Sequence, residues 1–99
     1  MSIFSKKYRY TIHADETTNY MVKGFAYEHS VRGKPSVIDD CRRGVYMVWF
    51  TSCIKPEDMS QMVENAFGQH CKVEHDSENE NMFCVRSKDS NYVPTLRDF

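Results

Sequence analysis

The chain has 99 residues, of which 40% are hydrophobic, 27% charged and 13% aromatic, with a formal net charge of −1 at pH 7. A chain this short builds one core, so a single domain over residues 1–99 is expected, with residues 88–99 as a C-terminal tail. The composition argues against disorder, and the longest apolar run, Val45 to Phe50, falls far short of the roughly 20 residues that cross a bilayer.

The first strand is predicted over residues 7–13, where period-two alternation puts Tyr8, Tyr10 and Ile12 on one face. Asp15, Glu16, Thr17 and Thr18 then offer polar caps for a helix. Met21, Val22, Phe25, Ala26 and His29 follow a helical stripe, and Arg32, Gly33 and Pro35 form a stop signal. Gly24 and the aromatics of this segment also suit a strand, so a sheet with one helix is the alternative. Residues 36–41 and 45–51 flank Arg42-Arg43-Gly44 and predict a hairpin, whose second arm is apolar on both faces and belongs inside the sheet.

The second helix has clearer ends: Pro56 in its first turn, Glu57 and Asp58 at the positive end of its dipole, and Gly68 at its close. Met59, Met62, Val63, Ala66 and Phe67 make one stripe for burial. Strands at residues 71–75 and 82–86 follow, joined by an acidic loop. The expected fold is therefore α+β: a ferredoxin-like βαββαβ sandwich, two helices on one face of an antiparallel sheet, with an extra C-terminal strand. The alternative is an antiparallel meander carrying one helix.

Charge and cysteine usage narrow the function. Residues 1–44 hold eight Lys/Arg against five Asp/Glu, and residues 45–99 hold five against nine. Neither half has the dense basic stripe of a nucleic-acid binder. Four cysteines, at 41, 53, 71 and 84, form no Cys-x-x-Cys pair and read as small, mostly buried hydrophobes. Lys6 and Lys7 leave no room for the apolar stretch of a signal peptide, so a cytoplasmic protein without a membrane partner is expected.

Catalytic and metal signals are weak. His70, Cys71, His75 and Cys84 are permissible zinc ligands, but strand alternation turns His70 away from Cys71 and His75. Asp76, Glu78 and Glu80 alternate as in a calcium loop, yet Asn81 stands where glycine is needed. No Gly-x-Ser-x-Gly elbow or glycine-rich phosphate cradle is present. His13 beside Asp15 or Glu16 is the one candidate general base, and a histidine at a strand end is more often a plain surface residue. No enzyme activity, no metal and no cofactor are expected.

Two binding readings remain. The octet Arg43-Gly44-Val45-Tyr46-Met47-Val48-Trp49-Phe50 resembles the third-strand signature of RNA recognition motifs at its leading Arg-Gly, at Val48 and at Phe50. It departs where that signature stacks bases, which here carries Val45 and Met47. In this reading Arg42 and Arg43 neutralise phosphate, and Tyr8 or Tyr10 adds a stacking surface beside Trp49.

The preferred reading is a non-enzymatic inhibitor, adaptor or regulator that binds a protein or nucleoprotein target. Its candidate surfaces are the acidic loop (Glu74, Asp76, Glu78, Glu80) and an apolar sheet patch at Trp49 and Met47. A homodimer is compatible with the same patch, and the C-terminal tail, through Tyr92, Leu96 and Phe99, is a competing cover for it. Small stand-alone domains of this kind are common among viral and mobile-element proteins, which makes such an origin an expectation by association.

Overall fold

The fold is seen in a computed structural model, which describes residues 6–88. The elements run β1 (Tyr8–Ala14), α1 (Asn19–His29), β2 (Ser36–Asp40), β3 (Val45–Ser52), α2 (Pro56–Phe67), β4 (Cys71–His75) and β5 (Met82–Ser87). The result is a small α+β domain with one five-stranded sheet and two helices. Beyond Lys88, the expected tail lies outside the described residues.

Residues 19–29 are helical, which removes the one-helix meander. Val22, Phe25 and Ala26 are buried on one side of α1, while Met21, expected in the same stripe, is exposed. Gly24 sits on the solvent side, where its cost is conformational freedom and not packing. The helix ends at His29, earlier than its stop signal, and Gly33 takes a left-handed φ of 76° in the turn beyond. In α2, Met59, Val63 and Phe67 are buried; Met62 is half-buried and Ala66 exposed, so the buried stripe is narrower than the periodicity implied.

The strand order is β2-β3-β1-β5-β4. The βαββαβ arrangement is matched only in part, because the sheet is mixed and not antiparallel. β3 is antiparallel to both β1 and β2, and β4 is antiparallel to β5, but β1 and β5 run parallel. Burial explains the departure. The chain leaves α2 into β4, where only Cys71 is buried, and the acidic loop then returns it as β5, where Phe83 and Val85 are buried. The more apolar arm of this hairpin takes the interior place beside β1, and its direction there follows from the turn.

Both helices lie on one face. Phe25 of α1 meets Phe67 of α2 at 5.4 Å and Phe50 of β3 at 6.3 Å, centroid to centroid. Beneath them Tyr10, Ile12, Val48, Phe50, Phe83 and Val85 are at most 3% exposed and supply the sheet's side of the core. Tyr10 packs between Phe50 and Phe83 at 5.7 and 6.2 Å, and its hydroxyl donates to the Ile54 carbonyl.

A buried polar node ties the ends of β1 and β5 to the start of α1. Asp15 Oδ1 accepts the backbone N–H groups of Thr17 at 2.9 Å and Thr18 at 2.8 Å, and Oδ2 accepts that of Ser87 at 2.8 Å. The Thr18 hydroxyl accepts the Asp15 N–H at 3.1 Å and lies 2.9 Å from the Val85 carbonyl and 3.0 Å from Asp15 Oδ1. It has one proton, so it donates to one of these two acceptors at a time. Thr18 is the N-cap residue, yet its side chain makes no hydrogen bond to the helix; Asp15, three residues earlier, fixes the entry turn by accepting the Thr18 N–H.

Candidate functional site

The register defines the residues on the face that the helices leave bare. Val45, Met47, Trp49 and Thr51 of β3 alternate with the buried Tyr46, Val48, Phe50 and Ser52 and are half-buried. On β1 the neighbours are Thr11, opposite Trp49, and His13, opposite Met47. On β5 they are Met82, beside Thr11, and Cys84, beside His13. Ile38 of β2 lies across from Met47 and is 38% exposed. Trp49, Met47, Met82 and Cys84 thus lie on one apolar strip three strands wide, with His13 among them.

The chemistry of that strip is quiet. Burial lowers the His13 pKa below its ordinary value, and Asp76 opposes the shift, so the ring is neutral at pH 7 and offers one donor and one acceptor. Burial raises the Cys84 thiol, which keeps it protonated and a poor nucleophile. Glu74 and Arg86 close the strip on the β4 side with an ion pair of 2.9 Å.

The acidic loop is ordered by its own hydrogen bonds. Asp76 Oδ1 accepts the N–H groups of Glu78 at 2.8 Å and Asn79 at 2.9 Å, and Asn79 Oδ1 accepts that of Asn81 at 3.0 Å. The His75 ring nitrogen Nε2 lies 2.8 Å from the Glu80 carbonyl, and the ring stacks on Phe83 at 4.7 Å. Asn81 Nδ2 donates to the Arg9 carbonyl at 3.1 Å, fixing the loop to β1. Residues 74–80 are exposed throughout.

The loop and the apolar strip are neighbours. The Asp76 N–H donates to the Met82 carbonyl at 3.0 Å, so the row Trp49, Thr11, Met82 runs on into the start of the loop. Three strand spacings separate Trp49 from Asp76, about 14 Å. The two surfaces picked out separately in the sequence therefore adjoin.

Other candidate residues are scattered. Tyr8 and Tyr10 alternate onto the helix-covered face, where Tyr10 is fully buried and Tyr8 half-buried, so neither shares a surface with Trp49. Their assignment as stacking residues is corrected. Arg42 and Arg43 are exposed at the β2–β3 turn, with Arg43 Nε 3.9 Å from Asp40. Cys71 and His75 share the helix-side alternation while Cys84 faces the other way, and among the described residues no three His, Cys, Asp or Glu side chains cluster as metal ligands. Two of the four cysteines are not the buried hydrophobes expected of them: Cys41 and Cys53 are exposed. No described helix is long and apolar enough to cross a membrane.

No known protein family matches this chain, and no curated protein is significantly similar to it.

Proposed function

We propose that the protein is a non-enzymatic interaction domain, acting as an inhibitor, adaptor or regulator, whose target is a protein with a basic rim around an apolar contact. The supporting observation is that, among the described residues, the half-buried sheet face at Trp49 and Met47, which the helices do not cover, is continuous with the ordered acidic loop. An interface combines an apolar core, in which tryptophan and methionine are enriched, with a polar rim. Trp49 and Met47 supply the first, and Asp76, Glu78 and Glu80 the second. The carboxylates raise the encounter rate of a basic partner, and the indole slows its departure.

RNA is the competing ligand, with Arg42 and Arg43 as its phosphate contacts. It is the weaker reading because Tyr8 and Tyr10 are turned away and a preformed acidic loop repels phosphate. The test is quantitative affinity capture from host extract with the tagged full chain, Trp49→Ala, and a variant with Glu74, Asp76, Glu78 and Glu80 changed to Gln or Asn. The proposal expects a protein whose recovery falls with both variants and survives nuclease treatment. Recovery that nuclease abolishes, or that falls only with Arg42→Ala and Arg43→Ala, refutes it in favour of RNA.

A further inference from the structure

The large hydrophobic side chains exposed among the described residues are concentrated in one stretch of chain: Tyr20, Met21 and Tyr27 of α1, Val31 after it, and Val37 and Ile38 of β2. Tyr20 is 70% exposed and Tyr27 53%. β2 is an edge strand, so among the described residues one of its sides has no neighbour in the sheet. Ahead of the strand the chain bends at residues 31–33, and the Val31 N–H donates to the Thr51 carbonyl of β3 at 2.9 Å, out of the β2–β3 register, which would set Lys34 opposite Thr51. Lys23 pairs with Asp39 of β2 at 3.1 Å and stands one helical turn before Tyr27, which places that flank of α1 beside the same edge. Aromatic and aliphatic groups thus flank an open row of backbone donors and acceptors, interrupted at Pro35, which has no N–H, and this marks an interaction edge that borders the Trp49 face through Ser36 and Ile38.

The charge order along this edge selects its occupant. The stretch Lys34-Pro35-Ser36-Val37-Ile38-Asp39-Asp40 is basic at its start and acidic at its end. Two copies related by a two-fold axis through Val37 pair antiparallel, with Val37 facing Val37, Ser36 facing Ile38, and Lys34 of each facing Asp40 of the other. Shifting the axis to Ile38 places Lys34 against Arg42, and shifting it to Ser36 places Lys34 against Ile38. The Ser36 axis would also set Arg32 against Asp40, but Arg32 lies in the bend beyond Gly33, so of these three registers only the Val37 axis gives two ion pairs within the extended stretch. Asp40 can accept one: its Oδ1 holds the Arg42 and Arg43 N–H groups at 3.1 and 3.3 Å, while Oδ2 has only Arg43 Nε at 3.9 Å. The register stops at 34 and 40, where Gly33 and the turn at 41–44 take the chain out of line.

We infer that β2 is a homodimerisation edge, joining two copies of this chain through antiparallel β2–β2 pairing centred on Val37, so that their two five-stranded sheets become one continuous sheet.

Analytical ultracentrifugation of the full chain over a range of concentrations tests this. The expected species is a dimer of twice 11.7 kDa that dissociates on dilution. Lys34→Asp alone and Asp40→Lys alone each replace two attractive contacts with two repulsive ones, and each should raise the dimer dissociation constant about tenfold or more. Mixing the two variants should restore association, since in the mixed dimer each of the two contacts again joins a lysine to an aspartate. Val37→Lys, at an exposed position, should also dissociate the dimer while leaving the circular dichroism melt unchanged at a dilution where the wild type is itself monomeric. A monomer at all concentrations, a dimer indifferent to these changes, or a dimer lost instead with Trp49→Ala would overturn the inference.

Discussion

Asp15→Ala removes one side chain and should loosen three elements at once. The carboxylate is 8% exposed and accepts backbone N–H groups from residues 17, 18 and 87. Alanine removes the carboxylate that these three donors share. Hydrogen bonds to a charged group contribute roughly 1.5–3 kcal/mol each, but the Thr17 donor is solvent-exposed and recovers water, so only two weigh fully. The expected loss is about 3–5 kcal/mol, a large fraction of the roughly 5–15 kcal/mol that holds a domain together. Urea melts followed by circular dichroism measure it, provided the slope is unchanged. Asp15→Asn separates the contributions: its amide oxygen can keep the Thr17 and Thr18 donors, but its NH2 group then faces the Ser87 N–H, so the loss should be smaller and amide exchange should quicken at Ser87 first. A loss below about 1 kcal/mol for Asp15→Ala would show that the node does not join β1, α1 and β5 as described.

Three further outcomes follow from the packing. Val63→Ala, at a fully buried position on α2, should cost about 2–4 kcal/mol in the same melts, and a change within about 0.5 kcal/mol would mean α2 is not docked on the sheet. Gly24→Ala meets open space at an exposed helical position and should stabilise by up to about 1 kcal/mol; destabilisation would contradict the assigned helix. The Tyr10 hydroxyl is pushed up to about 12, chiefly by burial, so the folded state keeps a proton that the unfolded chain releases near pH 10. Its stabilising contribution is therefore complete below pH 10 and declines as pH rises toward 12, and Tyr10→Phe should flatten that decline in pH-dependent melts.

Strand positions are legible in the sequence because alternation is a local property: Tyr8, Tyr10 and Ile12 do share a face, and 71–75 and 82–87 are strands. Which face the helices cover is not. β3 is apolar at both Tyr46-Val48-Phe50 and Val45-Met47-Trp49, so its pattern offers no reason to turn Tyr8 and Tyr10 toward the core. Parallel pairing of β1 with β5 is hidden too, since it depends on which arm of the last hairpin sits inside the sheet. That choice follows from the burial of Phe83 and Val85 in one core with Ile12 and Val22, residues far apart in the chain. The cap residues Asp15 and Thr18 are visible as a polar cluster, but their bonds to Val85 and Ser87 cross about 70 positions and leave no periodic trace. The adjoining of Trp49 and the acidic loop is likewise out of reach, because it needs the β1–β3 and β1–β5 registers together.

The most direct test of the proposed surface is the binding kinetics of the captured partner, followed by surface plasmon resonance at two salt concentrations. Trp49→Ala should act on dissociation, raising koff about 30-fold, the equivalent of the roughly 2 kcal/mol typical of a hot-spot tryptophan. Neutralising Glu74, Asp76, Glu78 and Glu80 should lower kon and flatten its salt dependence while koff and the melting temperature stay nearly unchanged. If both variants fold and bind with wild-type rate constants, the sheet face and the acidic loop are not the functional surface.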